Sequence, residues 1–581
     1  MRYPVLKETQ TSQYVTDVFL GLDRNLKISD GAMNDMKNLT SDYYPLLSSR
    51  NPRTEVRTLV EANGLIAKEK LIWVSKRNLF YGGVDLTDQL RDYGIVLTDS
   101  RKTMVSMGAY LVILPDKVYV NMSDVSDCGH IEASWENDQE AVITMCMADG
   151  TAYEGYATGK EAPKEPAAGQ YWLDTSGEKS ALMVYTNDSW TAVETVYSRI
   201  SCPGIGRLFR EGDGVTISGC ASDAINGSKI LKKVRQDEVV VIGMTPSVVT
   251  QNAGSLSISR RMPDMDFVTE CNNRIWGCKY GTVDGKTVNE IYCCKLGDFR
   301  NWECFEGLST DSYRASVGTD GPWTGAVTHL GYPCFFKEDH LHKVYVSPSG
   351  AHEIADTACR GVQPGCGGSL VVVNENLFYK STDGICLYDG SLPECISANL
   401  GTERSYDAVG GTIDSKYYLS LRRESGWELL VYDTRRGIWE KEDDIRAAYM
   451  ARLGEELYLL DDTGKLWGMT GRAEGKSEGD VPWSATTGVI GYSDHRQKYV
   501  SRFVLRMRLA DGSSAQVFIQ YNSNGHWMPC GSVNGNGLRS TVLPVRPFRC
   551  DHFQIKISGK GPMQMYSIGK IYERGSDVCG Y

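Results

Sequence analysis

The stretch ELLVYDTRRGIWEKE, residues 428–442, places an alternating apolar strand before a polar turn and a tryptophan after that turn. Side chains of a half-buried strand alternate between apolar and polar with a period of two. The Asp-Thr-Arg-Arg-Gly segment is typical of a tight turn, and an aromatic residue after such a turn packs across onto the preceding strand. The stretch therefore predicts an antiparallel hairpin.

Related units recur along the chain at irregular spacings. The spacing of the closer units is near the usual length of a β-propeller blade, which is roughly 40 to 50 residues. The clear copies are ECNNRIWGCKY (270–280), NENLFYKSTDGICLYDG (374–390) and ELYLLDDTGKLWGMT (456–470), and the weaker ones are KEKLIWVSKRNLFYGG (68–83), GAYLVILPDKVYVN (108–121) and HLHKVYVSPSG (340–350). No alternation of strands with helices competes with this pattern. The sequence predicts an all-β protein built on a β-propeller of about six or seven blades.

Two regions interrupt the repeats. Residues 124–242 contain a linker rich in Pro, Ala and Gly, followed by short apolar runs, and predict a small barrel or sandwich inserted in a loop. Residues 488–581 alternate cleanly and predict a C-terminal β-sandwich. The predicted order is an N-terminal arm (1–56), first blades (57–123), inserted domain (124–242), remaining blades (243–487) and sandwich (488–581).

The composition argues against a nucleic-acid-binding protein and against a membrane protein. The 581-residue chain has a formal net charge of −11, which argues against a general affinity for nucleic acid. It has no apolar run of the roughly 18 residues that a membrane helix needs, and no apolar signal segment near its start. We therefore expect a soluble protein made in a cytoplasm, with no membrane insertion.

The sequence contains few candidate motifs for catalysis or ligand binding. The 17 cysteines are irregularly spaced without any CxxC pair, which favours reduced, mostly buried thiols. His340 and His342 face one side of a strand but lack further zinc ligands. No nucleophile elbow occurs, and a catalytic carboxylate pair can be neither chosen nor excluded. The sequence predicts no catalytic residues, no metal, no cofactor and no enzymatic activity.

The N-terminal arm is polar and rich in turns. Ser29 and Asp30 suit a helix N-terminus, and Met33, Met36 and Leu39 follow at near-helical spacing, so a short helix to about Leu39 is expected. Two roles for the arm stay open. It is either a docking segment for another subunit, because Tyr and Arg are frequent interface anchors, or it packs on its own propeller and supplies a closing strand.

The arm resembles the N-terminal segment of a family of tail proteins of bacteriophages and prophages. The matching residues are Asp35, Met36, Asn38, Thr40, Asp42, Tyr43, Tyr44, Pro45, Leu47, Ser48 and Arg50. The C-terminal stretch, residues 546–577, is similar to the end of the same family. An arm leading into a propeller is also similar, more loosely, to the nozzle proteins of short-tailed phages.

This resemblance implies a structural virion protein, a nozzle or hub subunit of the tail. The expected partners are further copies in a homo-oligomeric ring, most simply six-fold, and other tail or head-to-tail connector proteins. DNA passes such a ring during ejection without specific binding. We expect assembly in the host cytoplasm and a final place in the virion tail. The interface candidates are Asp35, Met36, Asn38, Asp42, Tyr43, Tyr44, Arg50, Arg53, Arg502, Arg506 and Arg508.

A second hypothesis belongs to a different class. Propellers commonly bind ligands at the mouth of the central channel, and the chain has 12 Trp and 32 Tyr that could stack on sugars. The alternative is therefore a propeller that binds or cleaves glycans of the host surface. A third possibility, an intracellular scaffold, lacks the regular repeat expected of that class.

Overall fold

The computed structural model describes residues 11–574 and is almost entirely β-structure. Its described residues contain one α-helix, Thr87–Asp92, and two short 3₁₀ helices, Gly367–Ser369 and Ala398–Leu400. None of these helices has the length and apolar character of a membrane span. The prediction of an all-β fold is confirmed.

Six four-stranded antiparallel sheets and one five-stranded sheet form the seven blades of the propeller. Blade 1 consists of Ala62–Ala67, Leu71–Ser75, Asn78–Tyr81 and Val84–Asp85. Blade 2 consists of Thr103–Met107, Tyr110–Leu114, Val118–Asn121 and Cys128–His130. Blade 3 consists of Phe267–Glu270, Ile275–Val283, Lys286–Cys293 and Tyr313–Ser316. Blade 4 consists of Gly325–His329, Tyr332–Phe336, His340–Val346 and His352–Ala358. Blade 5 consists of Val371–Val373, Asn376–Ser381, Gly384–Tyr388 and Glu394–Cys395. Blade 6 consists of Ser405–Ile413, Lys416–Arg423, Gly426–Asp433 and Ile438–Lys441.

Blade 7 closes the circle with a strand from the other end of the chain. Its first three strands are Ala447–Leu453, Glu456–Asp461 and Lys465–Gly468, and its fourth is Thr54–Thr58, which also pairs with the short strand Lys476–Ser477. The first strands of neighbouring blades contact one another around most of the ring, and the first strand of blade 7 contacts that of blade 1. Between blades 4 and 5, the first strand of blade 4 contacts the 3₁₀ helix Gly367–Ser369 instead. The N-terminal segment therefore supplies a closing strand.

The inserted domain leaves the propeller between blades 2 and 3. Two sheets enclose its apolar core, and a third small sheet projects from it. The first sheet of the core consists of Ala133–Glu136, Ser257–Arg260, Gly214–Ser218 and Gly227–Ile230. The second consists of Lys233–Arg235, Glu238–Ile242, Tyr197–Ser201, Ala141–Cys146 and Val249–Gln251. The small projecting sheet consists of Ala157–Gly159, Tyr171–Asp174, Ala181–Thr186 and Ser189–Ala192. The domain runs past residue 242 because two later strands complete its sheets.

The C-terminal sandwich is built from both ends of the chain. One sheet contains Leu39–Thr40, Leu47–Ser49, Met563–Arg574, Lys498–Leu509 and Gly537–Pro544, with Thr11–Thr16 and Arg549–Cys550 paired beside them. The other contains Gly21–Leu22, Ala32–Lys37, Pro482–Thr487, Phe553–Lys560, Ser514–Tyr521 and Met528–Asn534. The arm and the sandwich, predicted as separate units, are thus one module. Residues 575–581 lie outside the described residues.

The arm forms strands where a helix was expected. Residues Ala32–Lys37 pair antiparallel with Pro482–Thr487, and the register shifts between Met33 and Asp35. Such a bulge places two residues opposite one, so Met33 and Met36 both face inward and are fully buried. Burial of these methionines in the sandwich core stabilises the strand, and the helix prediction is wrong.

Excising residues 132–261 should leave a folded propeller. Ala133 pairs directly with Arg260, so the two ends of the insertion are adjacent and a short Gly/Ser linker can join them. The domain also has its own buried apolar core. We expect cooperative thermal unfolding by circular dichroism in the excised protein and in the isolated domain. The absence of a cooperative transition in the excised protein would show that the insertion is part of the propeller core.

Candidate binding cleft between the arm and blades 6 and 7

A polar cleft of about 520 Å³ opens where the arm crosses blades 6 and 7. We call it the arm cleft. Its walls come from two arm segments, from the two hairpin turns on this side of blade 6, and from the loop after the third strand of blade 7. The residues that line it include Asp42, Arg50, Asp414, Lys416, Arg435 and Arg436.

The 433–437 turn of the hairpin formed by residues 428–442 makes one wall of the arm cleft. Asp433 accepts hydrogen bonds from the backbone N–H groups of Arg435 at 2.9 Å and Arg436 at 3.2 Å, and Gly437 takes the positive φ of 68° that ends the turn. The second oxygen of the carboxylate accepts a hydrogen bond from Ser41 Oγ at 2.7 Å. Asp433 therefore fixes both the turn and the arm.

Arg435 and Arg436 extend from this turn with exposed side chains. Arg435 Nε donates to Ser415 Oγ at 2.8 Å, and the Arg436 guanidinium lies 4.9 Å from the centroid of the Tyr44 ring. Neither arginine makes an ion pair with another described residue. Two preorganised cations are thus free to donate hydrogen bonds into the cleft.

The opposite wall carries acceptor groups. Asp42 is exposed and pairs with Lys416 Nζ at 2.8 Å, while the Asp414 side chain is also exposed. Lys416 in turn contacts the buried Glu440 at 3.2 Å. Burial alone would lower the pKa of Lys416, but the Glu440 carboxylate raises it above its usual value, so Lys416 stays charged. The cleft presents donors and acceptors side by side.

Behind the cleft, buried ion pairs hold the arm on the propeller. Arg53 donates to Glu442 at 2.6 Å and to Asp443 at 2.7 Å, with 3% of its side chain exposed. Arg50 makes a two-pronged contact with Glu478 at 2.8 and 2.9 Å. Burial alone would lower the pKa of Arg53, but the two adjacent carboxylates raise it, so its charge is retained.

A second ion-pair cluster lies further along the arm. Arg24 donates to both oxygens of Glu428, at 2.6 and 2.9 Å. Burial by itself would raise the pKa of Glu428, but Arg24 and two further cations lower it to about 2. Glu428 therefore remains ionised at neutral pH and anchors the arm to blade 6.

The predicted interface residues divide into two groups in the structure. Met36, Asn38, Arg50 and Arg53 are buried within the chain itself, so they are not available as a surface for a partner. Asn38 adopts a positive φ of 57° and accepts a hydrogen bond from Arg50 Nε at 2.8 Å. The exposed candidates are Asp35, Asp42, Tyr43, the half-buried Tyr44, and the sandwich residues Arg502, Arg506 and Arg508. For these an interface role stays a prediction.

Asp42 and Arg50 belong to the arm signature, but that signature does not reveal the cleft residues that face them. Lys416, Arg435 and Arg436 are separated from the arm by hundreds of residues. The one signal in the sequence was the Arg-Arg pair in the 434–437 turn, where two adjacent cations precede a glycine. A turn of this kind needs only its aspartate and glycine, so the two arginines are not required to form it.

A group of possible metal ligands lies outside the arm cleft. Cys304, Glu306 and Asp311 lie close enough to hold a metal ion. However, Glu306 pairs with Lys232, and Lys295 Nζ lies 3.5 Å from Cys304 Sγ, so cations already occupy two of the ligand atoms. Burial raises the pKa of the Cys304 thiol, which disfavours the thiolate. His342 is fully buried beside Thr319 and Trp323.

Comparison with known proteins gives weak matches only. No protein-family model and no curated protein sequence matches the chain. Among solved structures, the chain is similar to apo AztD from Citrobacter koseri, with 9% identity over 86% of this chain and 99% of that chain, and a TM-score of 0.26. It is also similar to an exo-β-1,3-galactanase from Phanerochaete chrysosporium, with 10% identity over 70% of this chain and 99% of that chain, and a TM-score of 0.18.

A third similar structure is the phage phi92 endosialidase, with 9% identity over 81% of this chain and 62% of that chain, and a TM-score of 0.16. The galactanase and the endosialidase are enzymes, and this finding contradicts the prediction that the chain is not an enzyme. That prediction is withdrawn, because the absence of a recognisable motif does not exclude catalysis in β-rich proteins of this kind. At these TM-scores no substrate or activity is transferred to the chain.

Proposed function

We propose that the protein is a bacteriophage virion protein whose propeller binds carbohydrate of the host surface in the arm cleft. The observation that carries the proposal is the open polar cleft itself, with Arg435 and Arg436 on one wall and Asp42 and Asp414 on the other. Its volume of about 520 Å³ falls within the range of roughly 300–1,000 Å³ that is usual for ligand sites.

The mixture of groups in the arm cleft favours a sugar over an ion. A sugar hydroxyl both donates and accepts, so it pairs equally well with a guanidinium and with a carboxylate. A purely anionic ligand would face two exposed aspartates, and a purely cationic one would face two exposed arginines. The presence of cations on one wall and carboxylates on the other therefore suits a ligand covered with hydroxyl groups.

Support for a place in the virion comes from the two segments that resemble phage tail proteins. The strand Leu47–Ser49 of the arm signature pairs directly with Met563–Arg574 of the C-terminal segment, with Leu47 opposite Met565. Two stretches from opposite ends of the chain thus form one structural module. Both resembling segments therefore belong to one folding unit, and the propeller and the inserted domain lie between them along the chain.

Glycan-array binding tests the carbohydrate proposal. We expect saturable binding of the full chain to a subset of bacterial surface glycans, and a roughly tenfold loss of affinity for each of Arg435→Ala and Arg436→Ala, the effect of losing about one charge-assisted hydrogen bond. Arg77→Ala and Arg404→Ala, which change exposed arginines elsewhere, are the matched controls. Binding that survives both cleft substitutions would move the ligand elsewhere, and no binding at all would refute the proposal.

Two further measurements complete the test. Release of reducing sugar from any glycan that binds would show whether the chain also cleaves it. Antibody labelling of phage particles should decorate the tail. Unlabelled tails in particles that contain the protein would contradict the virion placement without affecting the carbohydrate result.

A further inference from the structure

The outer face of the C-terminal sandwich is a basic sheet with an open edge. Arg502, Arg506 and Arg508 lie exposed on one face of the strand Lys498–Leu509. None of the three forms an ion pair with a described residue, and Arg506 Nε donates only to Ser540 Oγ at 3.0 Å. The surface therefore carries three uncompensated charges. We call it the basic face.

Apolar side chains interleave with these arginines. The neighbouring strand Gly537–Pro544 places Leu538 opposite Arg508 and Val542 opposite Val504, and both Leu538 and Val542 are about half exposed, at 48% and 56%. No described strand pairs with the outer side of Gly537–Pro544. Its free backbone groups form an edge that another strand can extend.

Charge is divided unequally along the chain. Residues 482–581 contain 12 Lys and Arg but only five Asp and Glu, so they carry a formal charge of +7. The remaining residues must then carry −18 to give the total of −11. A second copy of this chain is thus a strongly acidic partner for the basic face.

The inserted domain offers a matching acidic edge. The strand Ala133–Glu136 is the outermost strand of its sheet and pairs only with Ser257–Arg260 among the described residues. Glu136 ends this strand, and Asp138 and Glu140 lie in the turn that follows it; all three side chains are exposed, and none makes an ion pair with a described residue. We call this surface the acidic edge.

We propose that the basic face of one copy docks on the acidic edge of the inserted domain of a second copy. Both surfaces combine an open strand edge with unpaired charge, and the signs are opposite. The exposed Leu538 and Val542, together with the open backbone, favour a polypeptide over nucleic acid, whose recognition relies on phosphate contacts. Because the two surfaces lie on different domains, the contact is head-to-tail and can repeat from copy to copy.

This inference deepens the proposed place in the virion but does not depend on carbohydrate binding. Light scattering and sedimentation velocity of the full chain, at low and high salt, provide the test. We expect reversible self-association that is weakened at least tenfold by 0.5 M salt, since exposed charge pairs are screened. The triple variant Arg502→Glu, Arg506→Glu, Arg508→Glu should abolish it, and Glu136→Lys, Asp138→Lys, Glu140→Lys should do the same.

Mixing the two triple variants decides the matter. Each variant alone has lost one surface, but the reversed charges are again opposite, so we expect association to return in the mixture. A control with Arg77→Glu, Arg404→Glu and Arg452→Glu should associate like the unchanged protein. A wild-type monomer at high concentration, or a mixture that stays monomeric, would overturn the proposal. Duplex DNA binding that is lost with the arginines would identify nucleic acid as the occupant instead.

Discussion

Deleting residues 1–53 is expected to abolish cooperative folding of the sandwich and to make most of the protein insoluble. The deletion removes five described strands from the sandwich's two sheets. It also removes apolar side chains that are buried in the largest core, namely Phe19, Leu22, Met33, Met36, Leu39 and Leu47. Substitution of one large buried side chain by Ala typically costs about 2–5 kcal/mol, so the combined loss exceeds the stability of a typical domain.

The deleted segment should also work when it is supplied separately. Co-expression of residues 1–53 with the truncated chain is expected to restore soluble protein, since the arm contacts the rest through strand pairing and ion pairs that need no covalent link. The same peptide with Met36→Asp, which places a charge in the core, is the control and should not restore it. A truncated chain that is soluble and unfolds with an unchanged transition would refute this account of the arm.

Replacing Arg53 with Ala should lower the free energy of unfolding by about 3 kcal/mol. The substitution leaves Glu442 and Asp443 without their closest cation, and only Arg50 remains near them, at 3.7 and 3.8 Å. A buried carboxylate that loses its partner keeps the cost of desolvation. Urea unfolding followed by tryptophan fluorescence measures the change.

Arg446→Ala is the matched control for Arg53. Its guanidinium is 3.6 Å from Asp462, but half of the side chain is exposed, and such surface pairs contribute about 1 kcal/mol or less. A double-mutant cycle of Arg53→Ala with Glu442→Ala should show a coupling energy above about 1 kcal/mol. Equal effects of Arg53→Ala and Arg446→Ala would mean that the buried ion pair adds nothing to stability.

The propeller was predictable because its blades repeat a local pattern. Each blade carries its alternation and turn within a few tens of residues, and residues 428–442 contain a strand, an Asp-anchored turn and a buried Trp439 in order. Trp439 packs 4.8 Å from Tyr432 across the hairpin, as the aromatic position predicted. Local pairing of this kind leaves its full signature in one window of sequence.

The arm was mispredicted because a bulge imitates helical spacing. Met33 and Met36 are three residues apart, which is typical of one face of a helix. In the structure, the register shift between Met33 and Asp35 brings both to the same face of a strand. The strand partner lies more than 400 residues away at Pro482–Thr487, so no local pattern could reveal it.

Only some of the residues of the arm cleft could be predicted from the sequence. Asp42 and Arg50 belong to a recognisable signature, but their neighbours Arg435 and Arg436 approach them only through the closed ring and the returning arm. The ends of the inserted domain were likewise missed, since Val249–Gln251 has three residues and alternates too briefly to stand out. Sites assembled from distant segments depend on tertiary pairing that a single sequence does not show.

The pairing of Leu47 with Met565 has a consequence for how the protein is made. At about 5–20 residues per second, a ribosome needs roughly half a minute to two minutes to pass from the arm to the last sandwich strand. During that time the arm has no sheet to join, and its buried methionines face solvent or a chaperone. The arm therefore completes the fold only after the last sandwich strand has been synthesised, and an interrupted synthesis leaves a nascent chain that quality control can recognise by its open edge.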